Sequence, residues 1–353
     1  MALSRMGIVL LAVVTLPVAG YLTVRACTNA GRLTQEAKVR LDAWSGDPGD
    51  LAAAFSRLER VRWTHPYYAP AWAQRSRLER DLGYRSGYHW DDAQVLKALD
   101  CANHAIQLDP QLYDAQLAAG YAYYSYGDIH DARILARTCA RLDPLNPQGA
   151  LLAAQIEVWD SKWATARAYA ESLIARRPPA RIASQAHQCR IEACEQLGDS
   201  AAESSYLARI ALEPASAWPR GNYSVFLCNR GRYEEARSWA EQALQLMDYG
   251  NAHFALARAS RGLGAQVLAA ANGSWREAAQ DFGEATRNEP DDADSWFGLA
   301  RALRAGYDST GDAKLLEGST RASRNALQLN PAHAGARELM QRNRTAQPRP
   351  AGS

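Results

Sequence analysis

The side chains best suited to metal or acid–base chemistry are seven histidines and six cysteines. The histidines (His65, His89, His104, His130, His187, His253 and His333) are scattered along the chain. Their densest grouping with cysteine is the run His187, Cys189, Glu192, Cys194. On a helix, i, i+4, i+7 spacing puts His187, Ile191 and Cys194 on one face and Cys189 on another. A metal site needs three or four converging ligands, so this run reads as core packing. No Cys-x-x-Cys pair occurs, and Cys27, Cys101, Cys139, Cys189, Cys194 and Cys228 are too few in 353 residues for a disulfide scaffold. They read as buried free thiols.

Other chemistry is no better served. The segment RGLGAQ at 261–266 has a glycine pair but no following Gly-Lys-Ser/Thr, so it does not make a phosphate-binding loop. DSTGD at 308–312 begins like a calcium loop but lacks the later ligands and the closing glutamate. No Gly-x-Ser-x-Gly nucleophile turn is present. The expectation is therefore a protein that is not an enzyme, with no catalytic residue, no metal, no cofactor and no small-molecule substrate. An enzyme assembled from residues far apart in sequence is the weakest alternative. Formal net charge is only +2, which argues against a nucleic-acid binder working by broad phosphate neutralisation.

The elements that must position the remaining polar and aromatic residues follow from periodicity. Residues 6–24 carry no charge across 19 positions, between Arg5 and Arg25. As a helix they cover roughly 28 Å, close to a bilayer's hydrocarbon thickness. They read as a single-pass N-terminal membrane anchor, with cleaved signal and lipoprotein signal as alternatives. Arg25, Arg32, Lys38 and Arg40 would by the positive-inside rule keep the rest in the cytoplasm. The cleaved readings favour export, and the balance leans extracytoplasmic.

From there on the sequence repeats. QLDP, RLDP and ARRP end at Pro110, Pro144 and Pro178, and Pro214, Pro290 and Pro331 close later units. Each unit holds two apolar-periodic stretches long enough for helices, split by a turn such as Gly127-Asp128 or Gly231-Arg232. Proline then stops the second helix. Two short amphipathic helices cannot bury both apolar faces alone, so the pairs must stack.

These residues resemble the tetratricopeptide repeat (TPR) family, in particular a membrane-tethered bacterial type. In the unit 113–144, Gly120 stands where the first helix needs a small residue, Tyr123 is the large wedge, Ala132 and Cys139 fill the small positions, and Pro144 ends the unit. Trp72 and Trp296 fall on the family's aromatic position, and GRYEEARSWAEQAL matches through Gly231, Tyr233, Ala236 and Ala243. The resemblance implies an all-α, superhelical solenoid of antiparallel helix pairs behind the N-terminal apolar helix. Its units lie near 31–66, 69–110, 113–144, 147–178, 180–214, 217–248, 251–290 and 293–331, with a capping helix at 332–343 and a disordered tail at 345–353. Extra residues around Gly83–Asp92, Leu263–Gly273 and Gly306–Leu315 are expected as surface loops between paired helices.

The resemblance also implies that first helices line a concave groove binding a protein or peptide. Its lining residues would be Arg77, Arg80, Tyr121, Tyr124, Gln155, Trp159, Glu192, Glu195, Arg301 and Arg304, zoned basic, aromatic, acidic and basic. Tyr84, Tyr88 and Trp90 would form a second contact site in the first loop, or else fold back over the solenoid edge. The family's lysine–asparagine grip on a C-terminal carboxylate has no counterpart, because Ala73, Arg77, Leu117, Tyr121, Leu151 and Gln155 occupy those positions. The expected function is a membrane-tethered interaction scaffold. The alternative is a structural component of a secretion, pilus or polysaccharide machine that works through its edges and loops.

Overall fold

A recurring stripe of small residues sets the architecture. Ala98, Ala102 and Ala105 are buried, as are Ala132, Ala136 and Cys139, and Ala166, Ala170 and Leu173. Each set has i, i+4, i+7 spacing, and corresponding members are 34 residues apart. Apart from Leu173 these are small side chains, so one helix of a pair can approach the other closely.

The computed structural model describes residues 29–44, 48–86 and 89–346. The proposed anchor at 6–24, Tyr88, Cys27 and the expected tail from 347 on lie outside the described residues. Two compact units divide the chain at Ala202/Glu203.

In the first unit the helices are α1 (Ala30–Ala43), α2 (Pro48–Thr64), α3 (Ala69–Gly83), α4 (Asp92–Leu108), α5 (Tyr113–Tyr126), α6 (Ile129–Leu142), α7 (Pro147–Trp159), α8 (Trp163–Ala175) and α9 (Ala180–Gln196). Two short strands, β1 (Tyr84–Ser86) and β2 (His89–Trp90), form an antiparallel hairpin between α3 and α4. α1 packs on α2, α3 on α4, α5 on α6 and α7 on α8. The first helices also touch one another in the order α1, α3, α5, α7, α9. This is a TPR-like stack of helix pairs.

The second unit holds α10 (Ala202–Leu212, beginning at the boundary), α11 (Ala217–Asn229), α12 (Tyr233–Leu246), α13 (Gly250–Ala269), α14 (Trp275–Asn288), α15 (Ala293–Thr310), α16 (Ala313–Leu329) and α17 (Ala334–Thr345). Here α11 pairs with α12, α13 with α14 and α15 with α16, while α17 covers the last pair. Among the described residues no helix is long and apolar enough to cross a membrane.

Local chemistry fixes the helix ends. Asp91 and Asp128 accept from the backbone N–H groups of Gln94 and Asp131, capping α4 and α6. Gly127, at φ 92°, ends α5 in the left-handed conformation that costs glycine little. The repeat prolines do more than stop helices. Their carbonyls accept side-chain hydrogen bonds from the residue six positions on: Trp72 to Pro66 (2.7 Å), Gln116 to Pro110 (2.9 Å), Trp296 to Pro290 (2.8 Å) and Arg337 to Pro331 (2.8 Å). The aromatic position of the repeat thus pins the incoming turn onto the next first helix.

Two of the expected inter-helix loops are largely helix instead. α13 runs on to Ala269 and α15 to Thr310. The apolar period continues through both: Leu263 is buried, and Val267 and Leu268 pack against the cluster of Ala278, Phe282 and Ala302. Gly306 on α15 admits the Trp275 ring, which would stand 2.7 Å from an added Cβ. The third insertion is the β1–β2 hairpin.

Candidate functional site

The first helices of the first unit surround a cavity of about 460 Å³. Its floor is apolar, with Leu117 and Leu151 buried and Ala73 and Ala118 beside them. Tyr121, Tyr124 and Trp90 form an aromatic wall. That wall is part of a chain of edge-on ring contacts. Tyr84 meets Trp90 at 5.8 Å, Trp90 meets Tyr124 at 6.4 Å, and Tyr124 meets Trp159 at 5.9 Å. Such geometry sets a ring edge against a π face and favours packed aromatic pairs. The hairpin therefore folds back onto α5, placing Trp90 in the cavity wall.

The polar side of the cavity is dense with charge. Arg77 on α3 donates to Asp42 Oδ1 (2.5 Å) and to the Leu41 carbonyl (2.8 Å), both on α1. Arg80 pairs with Asp81 (2.7 Å) and lies 4.8 Å from the Tyr121 ring centre. Lys38 of α1 pairs with Asp114 of α5 (2.8 Å), whose Oδ2 also accepts from Gln74 (3.1 Å). Arg181, at the start of α9, donates to the carbonyls of Leu41 (3.2 Å) and Asp42 (2.7 Å). Among the described residues, three buried polar atoms in the lining have no hydrogen-bond partner: Gln74 Oε1, Gln155 Oε1 and Ser125 Oγ. Gln74 is only 5% exposed, so solvent reaches it poorly.

Burial shapes the protonation of these groups. It pushes the Tyr121 phenol up to about 12, against the opposing pull of Arg80, and raises Tyr124 as well. Arg181 is exposed along the side chain as a whole. Desolvation and the neighbouring Arg77 charge nevertheless hold its guanidinium below the ordinary arginine value.

Of the groove residues expected from sequence, Arg77, Arg80, Tyr121, Tyr124 and Gln155 come together in this cavity. Trp159 stands at its margin, 46% exposed and packed on Tyr124. Glu192 and Glu195 are not in the lining; Glu192 is half-buried and accepts from Gln188 (2.5 Å), and Glu195 is exposed. Arg301 and Arg304 belong to the second unit. There Arg301 lies over Phe297, while Arg304 donates to Asp308 and Asn343 (2.9 Å each), tying α15 to α17. Tyr84 is half-buried in the hairpin. Sequence reasoning missed Lys38, Asp42, Gln74, Asp114 and Arg181. The only signal for most of them was their place on first helices.

The isolated His187–Cys194 run does not converge. Cys189 packs with Leu151, Ala170 and Leu173 in the core, and Cys194 is buried. Among the described residues no three histidine, cysteine or acidic side chains are grouped to hold a metal ion.

No protein-family model matches the sequence, and no curated protein matches it. Among solved structures, the chain is similar to the Cut9–Hcn1 hetero-tetramer of APC/C, at 14% identity and a TM-score of 0.46, over 86% of this chain and 57% of that one. It is similar to yeast Tom70 at 10% identity and a TM-score of 0.47, over 90% of this chain and 64% of that one. A third likeness is to YrrB, described as a TPR protein with an unusual peptide-binding site, at 13% identity and a TM-score of 0.33, over 69% of this chain and 99% of that one. The chain thus spans less than two thirds of the first two structures.

Proposed function

We propose that the protein is a non-enzymatic interaction scaffold that binds a partner protein or peptide through the concave cavity of its first unit. The observation that carries this reading is the convergence of Arg77, Arg80, Tyr121, Tyr124 and Gln155 from three successive first helices on one cavity. Aromatic and arginine side chains around an apolar floor are the composition in which binding energy concentrates. The unpartnered oxygens of Gln74 and Gln155 supply acceptors for a partner's N–H groups. Arg301 and Arg304 extend the proposal to the second unit as a weaker, separate contact.

Partner recovery from the native source tests this. A Tyr121→Ala/Trp159→Ala chain should recover at least about tenfold less partner than wild type, the loss of one hot-spot contact. Undiminished recovery sinks the groove. The alternative, an envelope-assembly component using its loops, is tested by replacing residues 85–89 with two glycines. Asp91 is kept because it caps α4.

Residues 6–24 tether the scaffold to a membrane as a single-pass anchor, with the repeats on the extracytoplasmic side. Their unbroken apolar length supports this. A C-terminal alkaline phosphatase fusion should be active and a green fluorescent protein fusion dark. The reverse pattern places the repeats in the cytoplasm.

A further inference from the structure

The charged groups around the first-unit cavity do not balance. Lys38 pairs with Asp114, Arg77 with Asp42, and Arg80 with Asp81. Among the described residues Arg181 has no carboxylate as hydrogen-bond partner: its guanidinium donates to the backbone oxygens of Leu41 and Asp42, and the Asp81 and Asp42 carboxylates act on it from further off. Among the described residues the lining carries four cations, Lys38, Arg77, Arg80 and Arg181, against two carboxylates, Asp42 and Asp114, with Asp81 outside it on Arg80. Glu192 lies outside the lining and accepts from Gln188, although its charge reaches the Tyr124 phenol. Tyr121 and Tyr124 are neutral at physiological pH, as phenols ordinarily are, and burial raises both further.

A cation held by backbone carbonyls but by no carboxylate, beside an apolar floor, favours an anion, and the excess of one charge over these pairs fits a monoanion better than a phosphate dianion. The planar fork of arginine matches a carboxylate. Gln74 Oε1 and Gln155 Oε1 call for a donor on the same ligand. About 460 Å³ lies in the size range of small-ligand sites.

We infer that this cavity binds a single carboxylate carried on an apolar body with a nearby amide N–H, the carboxylate pairing with Arg181. An acidic residue within a partner peptide has this chemistry, and so does a free N-acyl acid. The inference rests on reading the cavity as the partner site. It differs from a grip on a chain terminus, since one internal side-chain carboxylate satisfies it.

Titration calorimetry of the full chain with four probes tests it: N-acetyl-phenylalaninate, its uncharged amide, the capped peptide acetyl-Leu-Glu-Phe-amide, and the same peptide with Gln for Glu. The acids should bind about tenfold or more tighter than their neutral counterparts, as expected of one charge-assisted hydrogen-bonded pair. Arg181→Gln should abolish that preference and Arg181→Lys, which keeps the charge but not the fork, retain part of it, with circular dichroism checking that both fold. Preference for the capped Glu peptide alone assigns the carboxylate to a partner's side chain. Preference for the free acid alone assigns it to a small molecule. Equal binding of acids and amides, no binding by any probe, or a preference that survives Arg181→Gln overturns the inference. Partner recovery that still depends on Tyr121 would then leave the scaffold reading standing. Acid preference combined with partner recovery indifferent to Tyr121 would overturn the scaffold reading alone.

Discussion

Arg181 donates to the backbone oxygen of Asp42 at 2.7 Å, joining residues 139 apart in sequence. Arg77 reaches the neighbouring Leu41 carbonyl at 2.8 Å. Both oxygens lie in the last turn of α1, where carbonyls have no partner within the helix and the helix dipole is negative. Two arginines, one from α3 and one from α9, therefore close the C-terminal end of α1 and hold it beside the cavity.

Removing either arginine should loosen α1. Arg77→Ala is expected to cost about 1 kcal/mol, since the exposed Asp42 loses its ion pair while the Leu41 carbonyl keeps Arg181. Arg181→Ala should cost about 1 kcal/mol or less, because that side chain is exposed. Urea denaturation of the variants, with hydrogen exchange on α1, measures both. Equal exchange protection in wild type and Arg77→Ala would contradict the role assigned to Arg77.

Phe282 occupies a small position of its repeat, and two glycines make room for it. An added Cβ at Gly298 would stand 2.0 Å from its ring, and one at Gly264 2.9 Å. Gly298→Ala should therefore destabilise the second unit by about 1–3 kcal/mol through overpacking. Gly283, also in α14, meets only an arginine tip at 3.7 Å. Gly283→Ala should stabilise by about 0.5–1 kcal/mol, the ordinary helix gain over glycine. Chemical denaturation of the two variants should give opposite signs.

Stability should fall on the alkaline side. Burial raises the thiols of Cys101 and Cys228 to about 11 and the Tyr121 phenol to about 12. The folded chain then holds these protons more tightly than the unfolded chain, so unfolding releases protons. The stabilisation is complete below about pH 9 for the thiols and about pH 10 for the phenol, their unfolded values. It is lost as pH rises through the folded values. Tyr121→Phe should flatten the loss between about pH 10 and 12 while changing stability little at neutral pH. Melting temperatures across that range decide it, and a slope identical to wild type would count against a buried phenol.

Much of this fold is written in short-range patterns. The proline spacing locates the helix pairs, and the 3.6-residue period puts Tyr121, Tyr124 and, on the next first helix, Gln155 toward one side. Both patterns need only neighbours in sequence. Lys38, Asp42 and Arg181 were not legible in this way. Their meeting depends on the summed tilt of five helices, and nothing within a single repeat marks it. Leu263–Ala269 is ambiguous for a different reason. A glycine-punctuated apolar run reads as a loop until Phe282 is known to pack against it. Trp90 shows the limit from the other side, because fold-back and free contact look alike in sequence. The Tyr124 ring at 6.4 Å decides between them.

The partner site itself is tested most directly by placing a photo-crosslinking benzophenone at position 121 in the cavity and, separately, at Ile134, an exposed residue on α6. Irradiation in the native source should give a discrete crosslinked partner from position 121, competed away by the untagged wild-type chain, and none from position 134. A partner crosslinked from 134 and absent from 121 would contradict binding in the first-unit cavity.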